Sequence, residues 1–369
     1  MKIAIVGAGN AGCITALHYH KYLDIDNEIV IYHSPEQHPI ERVGQGTFPT
    51  FVDLIANTLD INWYDNPIDA TFKSGILYEG WGKPGNKFFH PFHMEQMSMH
   101  FVPQKLSKVV LESGYFNVIE KTVTDPEKEI DANVIFDCRG RHNRDDSNYE
   151  ALVNPLNSVL LYKKQGRDPN LIYTRSIATP NGWTFVIPNV DSVSYGYLYN
   201  DEITTKEDAE SDFINLFDVE PNNSIPFKNY VAKSIWKGER TVLNGNMFSF
   251  IEPLEATSAL MYARIAEIVW FDGLLKENTM ENRNNVDNQI RDEIMKTQTF
   301  LLWHYQNGSK YDTPFWHYAK SLPFERYGNF DEFIEKARDW NCISDIKRGK
   351  SPFYSQWPIS SFYNWLQTI

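Results

Sequence analysis

The segment from Lys2 to Gly12, KIAIVGAGNAG, constrains this chain more than any other. Its first five residues, mostly apolar and β-branched, read as a buried parallel strand. A Gly-x-Gly-x-x-Gly run follows at once, residues 13–23 read as a helix, and EIVIY at 28–32 supplies a second strand. In that setting Gly7 permits a tight turn, Gly9 lets the main chain approach a pyrophosphate, and Gly12 allows close helix–strand packing. The helix start offers unpaired N–H groups and a positive dipole end to the anion. A glycine pattern alone says little. Between a strand and a helix it predicts a dinucleotide site floored by Gly7, Ala8, Gly9, Ala11 and Gly12. The acidic residue expected about twenty positions on is missing from the second strand's end, where His33 stands. Glu36, Glu41 or His33 itself would then meet the ribose or adenine.

Further strands are expected at 108–111, 117–120, 133–137, 158–163, 184–187 and 193–199, with exposed connections at 141–150 and 219–224. The polar stretch 276–292 suits either a helix or a loop, and the pattern from about 259 onward is mostly helical. A formal charge of −13 opposes nucleic acid as a partner, because phosphate binding needs a Lys/Arg excess. Three scattered cysteines offer no disulfide framework, and no apolar run approaches the length of a membrane span. The expectation is a cytoplasmic protein without membrane, nucleic acid or metal partners. His90-x-x-His93 brings no third ligand cluster that would make a metal site. The 23 Phe, 20 Tyr and 10 Trp suit a large aromatic core and equally a pocket for a flat ligand.

Two later segments carry chemistry-bearing residues. Asp137-Cys138-Arg139-Gly140 ends a strand in a turn, and such turns commonly lie near a bound dinucleotide. FIEPLEATS at 250–258 leads into an apolar helix from Ala259 to Phe271. Thr257 or Ser258 would cap that helix, whose start would face an anion or a flavin carbonyl. Two carboxylates there also suit the helix dipole without any catalytic role.

Together these segments resemble the flavin-dependent halogenases of the tryptophan halogenase type, over nearly the whole chain from GAGNAG to Trp316. Val43–Pro49 (VGQGTFP) is similar to that family's VGEATFP segment, with Gln45 in place of Glu. Ala70–Lys73 resembles the segment bearing the catalytic lysine, and Phe89–Phe92 the stretch whose His and Phe line the aromatic substrate. Trp183–Pro188 matches WxWxIP except at Phe185, FIEPLEATS is close to FxEPLE(S/A)TS, and Asp312–Trp316 resembles a further segment, DTPFW.

The resemblance implies an α/β fold of the flavin monooxygenase and halogenase type. An FAD-binding Rossmann-like lobe (mainly 1–60, 100–150 and 235–290) is interwoven with a sheet-and-helix substrate lobe (61–99, 151–234 and 291–369) and C-terminal helices, in one compact two-lobe unit. FAD contacts are expected from the glycine motif, His33, Gly44, Gln45, Thr47, Asp137, Gly140, Gly245 and Pro253. Reduced FAD, oxygen and halide would yield hypohalous acid. Lys73 would hold that oxidant, as an ammonium donor or as a haloamine, and Glu255 would polarise it and accept the ring proton or stabilise the ring's charge. His90 and Phe92 would sandwich a small aromatic substrate, and the N–H groups of Thr257 and Ser258 would meet the halide. Trp183 would help keep substrate off the flavin, and Phe315 and Trp316 complete the expected substrate-binding set. No reductase domain is visible, so reduced FAD would diffuse from a partner flavin reductase. A homodimer is left open. The rival readings are a flavin monooxygenase acting directly on an aromatic substrate, and a non-catalytic flavin-binding protein.

Overall fold

A computed structural model describes residues 1–23, 28–35, 43–92, 96–140, 146–168, 171–349 and 351–368. Glu36, Glu41 and His93, named above, lie outside the described residues. The chain folds as a mixed α/β protein with parallel and antiparallel sheets. A six-stranded sheet runs in the order 236–237, 241–243, 134–137, 2–6, 28–33, 117–120. All neighbours in it are parallel except the first pair. Its inner strands carry unbroken apolar runs because helices cover its face. The helix Asn10–Tyr22 packs against Thr257–Ile268 there, and Gly245 closes on Ala11.

A seven-stranded sheet runs 223–226, 158–165, 192–199, 182–188, 174–179, 75–79, 87–91. Its one parallel pairing joins Thr174–Thr179 to Gly75–Glu79. Gln45–Gly46, Ser98–Phe101 and Thr71–Lys73 form a small antiparallel sheet. Helices Met280–Asn307, Pro314–Ser321, Phe330–Arg338, Cys342–Arg348 and Ile359–Leu366 follow, with a hairpin at Phe353–Tyr354 and Trp357–Pro358. Among the described residues no helix is long and apolar enough to cross a membrane.

Three sequence expectations need correction. Residues 108–111 are not a strand but the end of helix Pro103–Glu112. Pro103 sits in its first turn, and Leu106 and Val110, four apart, are both buried. Burying that face contributes about 1.5–3 kcal/mol per side chain, which outweighs the weak β preference of Lys-Val-Val-Leu. The connection 219–224 ends in an edge strand, Asn223–Pro226, because Ile225 pairs with Val159. Neither Thr257 nor Ser258 caps the apolar helix: its cap is Ala256, in the left-handed region at φ 53°, ψ 36°. The polar stretch 276–292 resolves as helix from Met280 onward, capped by Thr279, whose hydroxyl accepts from the Asn282 N–H.

Candidate active site

The glycine motif shows three different constraints. Gly7 has φ +107°, and a Cβ there would fall 2.7 Å from the Cys138 carbonyl oxygen. A Cβ on Gly12 would lie 1.9 Å from the Gly7 oxygen. One on Gly9 would meet nothing within 4 Å. The helix that follows has no side-chain cap and no acidic residue in its first turn. An open floor under uncapped, electropositive N–H groups fits a pyrophosphate. Ala8 supplies a carbonyl that accepts from Ser107 Oγ at 2.6 Å. Ala11 is buried against Gly245, whose φ is +63°. Asp137 is fully buried and takes the Arg139 fork, with Nε on Oδ1 and Nη2 on Oδ2, each at 2.8 Å. Its carboxylate is spent on that pair, and Gly140 turns the chain at φ +83°. His33 ends the second strand half-buried, and Pro253 accepts the Ala256 N–H at 2.9 Å.

A two-residue strand connects this region to a second site. Gln45 Oε1 accepts from Asn10 Nδ2, at the start of the glycine-motif helix, at 3.3 Å. On the neighbouring residue, a Cβ on Gly46 would lie 3.4 Å from Lys73 Nζ and 3.6 Å from Ala256 Cβ. Gly44 N–H donates to Ser194 Oγ at 2.9 Å, and the Thr47 hydroxyl donates to the Met99 carbonyl at 2.6 Å.

Beyond that strand lies a cavity of about 530 Å³. Lys73, His90, Phe92, Glu255, Trp357 and Ser361 are in its wall, with Arg264 and Glu293 also lining it. Lys73, at the end of its short strand, is fully buried. Its Nζ donates to the Thr47 carbonyl at 3.1 Å and lies 5.2 Å from the centre of the Phe92 ring. Burial lowers its pKa to about 8, against the opposing pull of Glu255. His90 Nε2 meets Ser361 Oγ at 2.9 Å, and its Nδ1 has no partner among the described residues. Burial lowers the pKa of His90 and, further, that of His100, so both imidazoles favour the neutral form.

Glu255 is also buried. Its Oε1 accepts from Tyr78 Oη at 2.5 Å and pairs with His304 Nε2 at 2.8 Å, while Oε2 accepts from Trp357 Nε1 at 3.3 Å. Burial opposes ionisation, but His304, His90 and Tyr78 outweigh it and hold the carboxyl below its usual range. Glu252, in the same turn, accepts the Leu254 N–H at 3.1 Å, but burial outweighs that and raises its pKa to about 8. Its folded value exceeds the unfolded 4.5, so the folded state holds the extra proton between them and stability falls as pH rises through that window. Glu252→Gln should therefore gain thermal midpoint relative to wild type from pH 5 to pH 8. A constant gap across that range would contradict the buried, protonated carboxyl. Ala256 carries left-handed strain of about 1–2 kcal/mol, so Ala256→Gly should leave the midpoint unchanged or raised, and a clear fall would remove strain from the account.

The structure brings Lys73, Glu255, His90 and Phe92 to one cavity. Trp183, Phe315 and Trp316 are not in its wall: all three are buried in the core, and Trp316 Nε1 donates to the Thr179 carbonyl at 2.8 Å. Thr257 and Ser258 begin the neighbouring helix, whose N-cap makes no side-chain hydrogen bond. Sequence reasoning missed Tyr78, His304, Trp357 and Ser361. Tyr78 sits three residues after Gly75 in an ordinary apolar strand, and the other three lie on C-terminal elements without a motif. Only the excess of aromatic residues hinted at them.

Comparison with known proteins supplies the context. The family model described as tryptophan halogenase matches residues 2–105 and 96–354. The tryptophan 7-halogenase of Kutzneria sp. (strain 744) is 28% identical over 47% of this chain and 32% of its own length. That of Lentzea aerocolonigenes is 25% identical over 64% of this chain and 46% of its own length. The matched region thus spans less than half of either relative. The crystal structure of a tryptophan 6-halogenase from Streptomyces toxytricini superposes with a TM-score of 0.80 at 19% identity, covering 98% of this chain and 89% of that one. A flavin-dependent halogenase from Xanthomonas campestris gives 0.80 at 18% identity, with 98% and 87% covered. At such identity these likenesses speak for the fold.

Proposed function

This chain belongs to the tryptophan halogenase family, and we propose that it is an FAD-dependent halogenase of an electron-rich aromatic substrate. The observation that carries this reading is the pairing of a buried lysine with a buried carboxylate in one cavity, separated by Gln45–Thr47 from an open glycine-motif floor. A direct oxygen-transfer enzyme needs its substrate against the flavin. Here the polar groups suited to aromatic substitution line a cavity in whose wall no glycine-motif residue stands.

FAD would be held by the floor at Gly7–Gly12, with Gly245 closing beside it. When bound and reduced it would supply, with oxygen and halide, the electrophilic hypohalous acid. The remaining steps belong to the chain. Lys73, an ammonium below about pH 8, donates a hydrogen bond to the oxidant's oxygen and holds it at the cavity. His90, Phe92 and Trp357 orient the ring. A ring carbon attacks the halogen, the O–halogen bond breaks, and the leaving hydroxide takes a proton from the Lys73 ammonium, to be returned from Glu255 at the end of the cycle, and departs as water. Glu255 takes the proton that the ring carbon loses, so arene and hypohalous acid become haloarene and water. A volume of about 530 Å³ lies within the roughly 300–1,000 Å³ of typical ligand pockets and accepts an indole-sized ring with substituents.

Purified protein, FAD, a separate flavin reductase and NADH, given indoles and phenols in bromide or chloride, should yield halogenated product by mass spectrometry. Oxygenated product without halogen would hand the site to monooxygenase chemistry. The rate should decline as pH rises through about 8, where the Lys73 ammonium is lost. A rise through the same pH would assign the work to the neutral amine instead.

A further inference from the structure

The oxygens of Glu255 are unequally engaged. Oε1 receives two groups from separate elements: the Tyr78 hydroxyl from strand Gly75–Glu79, and His304 from helix Met280–Asn307. Among the described residues Oε2 has only the long contact with the Trp357 indole, a cavity residue. His304 is itself constrained. Its Nδ1 lies 2.6 Å from the Phe300 carbonyl, which can only accept, so Nδ1 carries a proton. Nε2 faces a carboxylate oxygen that also accepts from a phenol, so His304 bridges the Phe300 carbonyl and Glu255. The ring is wedged edge-on between Phe300 and Trp365, at centroid distances of 4.5 and 4.1 Å, so it has no room to turn away.

We propose that Tyr78 and His304 are positioning residues that pin Glu255 as a carboxylate through Oε1 and leave Oε2 as the oxygen that takes the ring proton. The role of Oε2 rests on the halogenase reading; the pinning does not. Every charged or titratable group that faces Glu255 bears on it. His304 and Tyr78 favour the anion, as does His90 from strand Lys87–Pro91 when charged. Lys73 attracts it from strand Thr71–Lys73, and Glu252 in the same turn repels it. His304 and Tyr78 are the groups in direct contact with Oε1. An anchored carboxylate keeps its working oxygen aimed and its proton affinity low until a ring carbon offers a proton. Without the anchor, burial drives the same carboxyl to the neutral acid, which cannot accept one.

The test uses the full-length, FAD-loaded protein and two readouts. Infrared difference spectroscopy reads the carboxylic-acid C=O band of Glu255, assigned by its absence in Glu255→Gln. The pH–rate profile of halogenation is the second. In wild type the band should be missing at pH 7. In His304→Phe it should appear, and the acid limb of the profile should move up by about 1–3 units. His304→Gln, which keeps a donor without charge, and Tyr78→Phe should give smaller movements in the same direction, with kcat reduced and KM little changed. Should His304→Phe fail to fold by circular dichroism, those two variants decide. A Glu255 that stays ionised at pH 7 in folded, FAD-binding variants would overturn the proposal. If the wild type makes no halogenated product while the band behaves as expected, the halogenase reading and the Oε2 role fall, and the pinning of Glu255 stands.

Discussion

Lys73→Ala should lower halogenated product by at least about 100-fold, the usual cost of losing a hydrogen-bond donor or acid–base group at the reacting centre. FAD binding and the oxidation of reduced FAD should persist in the variant, because Lys73 touches Thr47 and Phe92 rather than the glycine motif. Lys73→Arg should rescue little. The ammonium is fully enclosed, and a planar guanidinium has neither the room nor the same reach. The effect is expected in kcat more than in KM, since the lysine meets the oxidant and not the aromatic ring. A Lys73→Ala enzyme as active as wild type would remove the lysine from the mechanism.

The glycine motif gives the second large effect, and here two neighbouring substitutions should behave oppositely. Gly12→Ala places a methyl 1.9 Å from the Gly7 oxygen, inside the contact between strand and helix. Neither main-chain segment can retreat without parting from the sheet, so a loss of more than about 3 kcal/mol of stability is expected, with flavin binding lost alongside. Gly9→Ala adds its methyl where nothing lies within 4 Å, at an ordinary φ of −72°. Its thermal midpoint should match wild type, while FAD affinity, measured by fluorescence titration, falls. Equal affinity in Gly9→Ala would place the dinucleotide elsewhere.

The strand–turn–helix unit of the glycine motif was legible because it is local. Strand, turn and helix lie within about thirty residues, and each glycine answers to a steric demand visible in sequence. Lys73 and Glu255 are 182 positions apart in the chain, and residue pattern alone would leave each a surface charge or a helix-end carboxylate. Only resemblance brought them forward, and packing then explains why both are buried. The errors have physical causes as well. Val109, Val110 and Leu111 look like a strand until Leu106 and Val110 are seen to share one helical face. Thr257 looks like a cap, yet the turn that presents Glu255 is tight enough to force Ala256 into the left-handed region one residue earlier. Trp316, drawn in by its motif, serves the core, and the cavity's tryptophan is Trp357 on the C-terminal hairpin. Tyr78 and His304 were illegible because their role exists only where a strand and a helix 226 positions apart meet at one carboxylate oxygen.

On the proposed mechanism the ring is halogenated at Lys73 and Glu255, apart from the flavin. A crystal structure of the FAD-loaded protein with an aromatic substrate, chosen from those the halogenation screen converts, measures that directly. The account predicts the ring in the cavity between His90, Phe92 and Trp357, within reach of Lys73 Nζ and Glu255, with Gln45–Thr47 standing between it and the flavin. A ring stacked against the flavin, on the glycine-motif side of that strand, would contradict it.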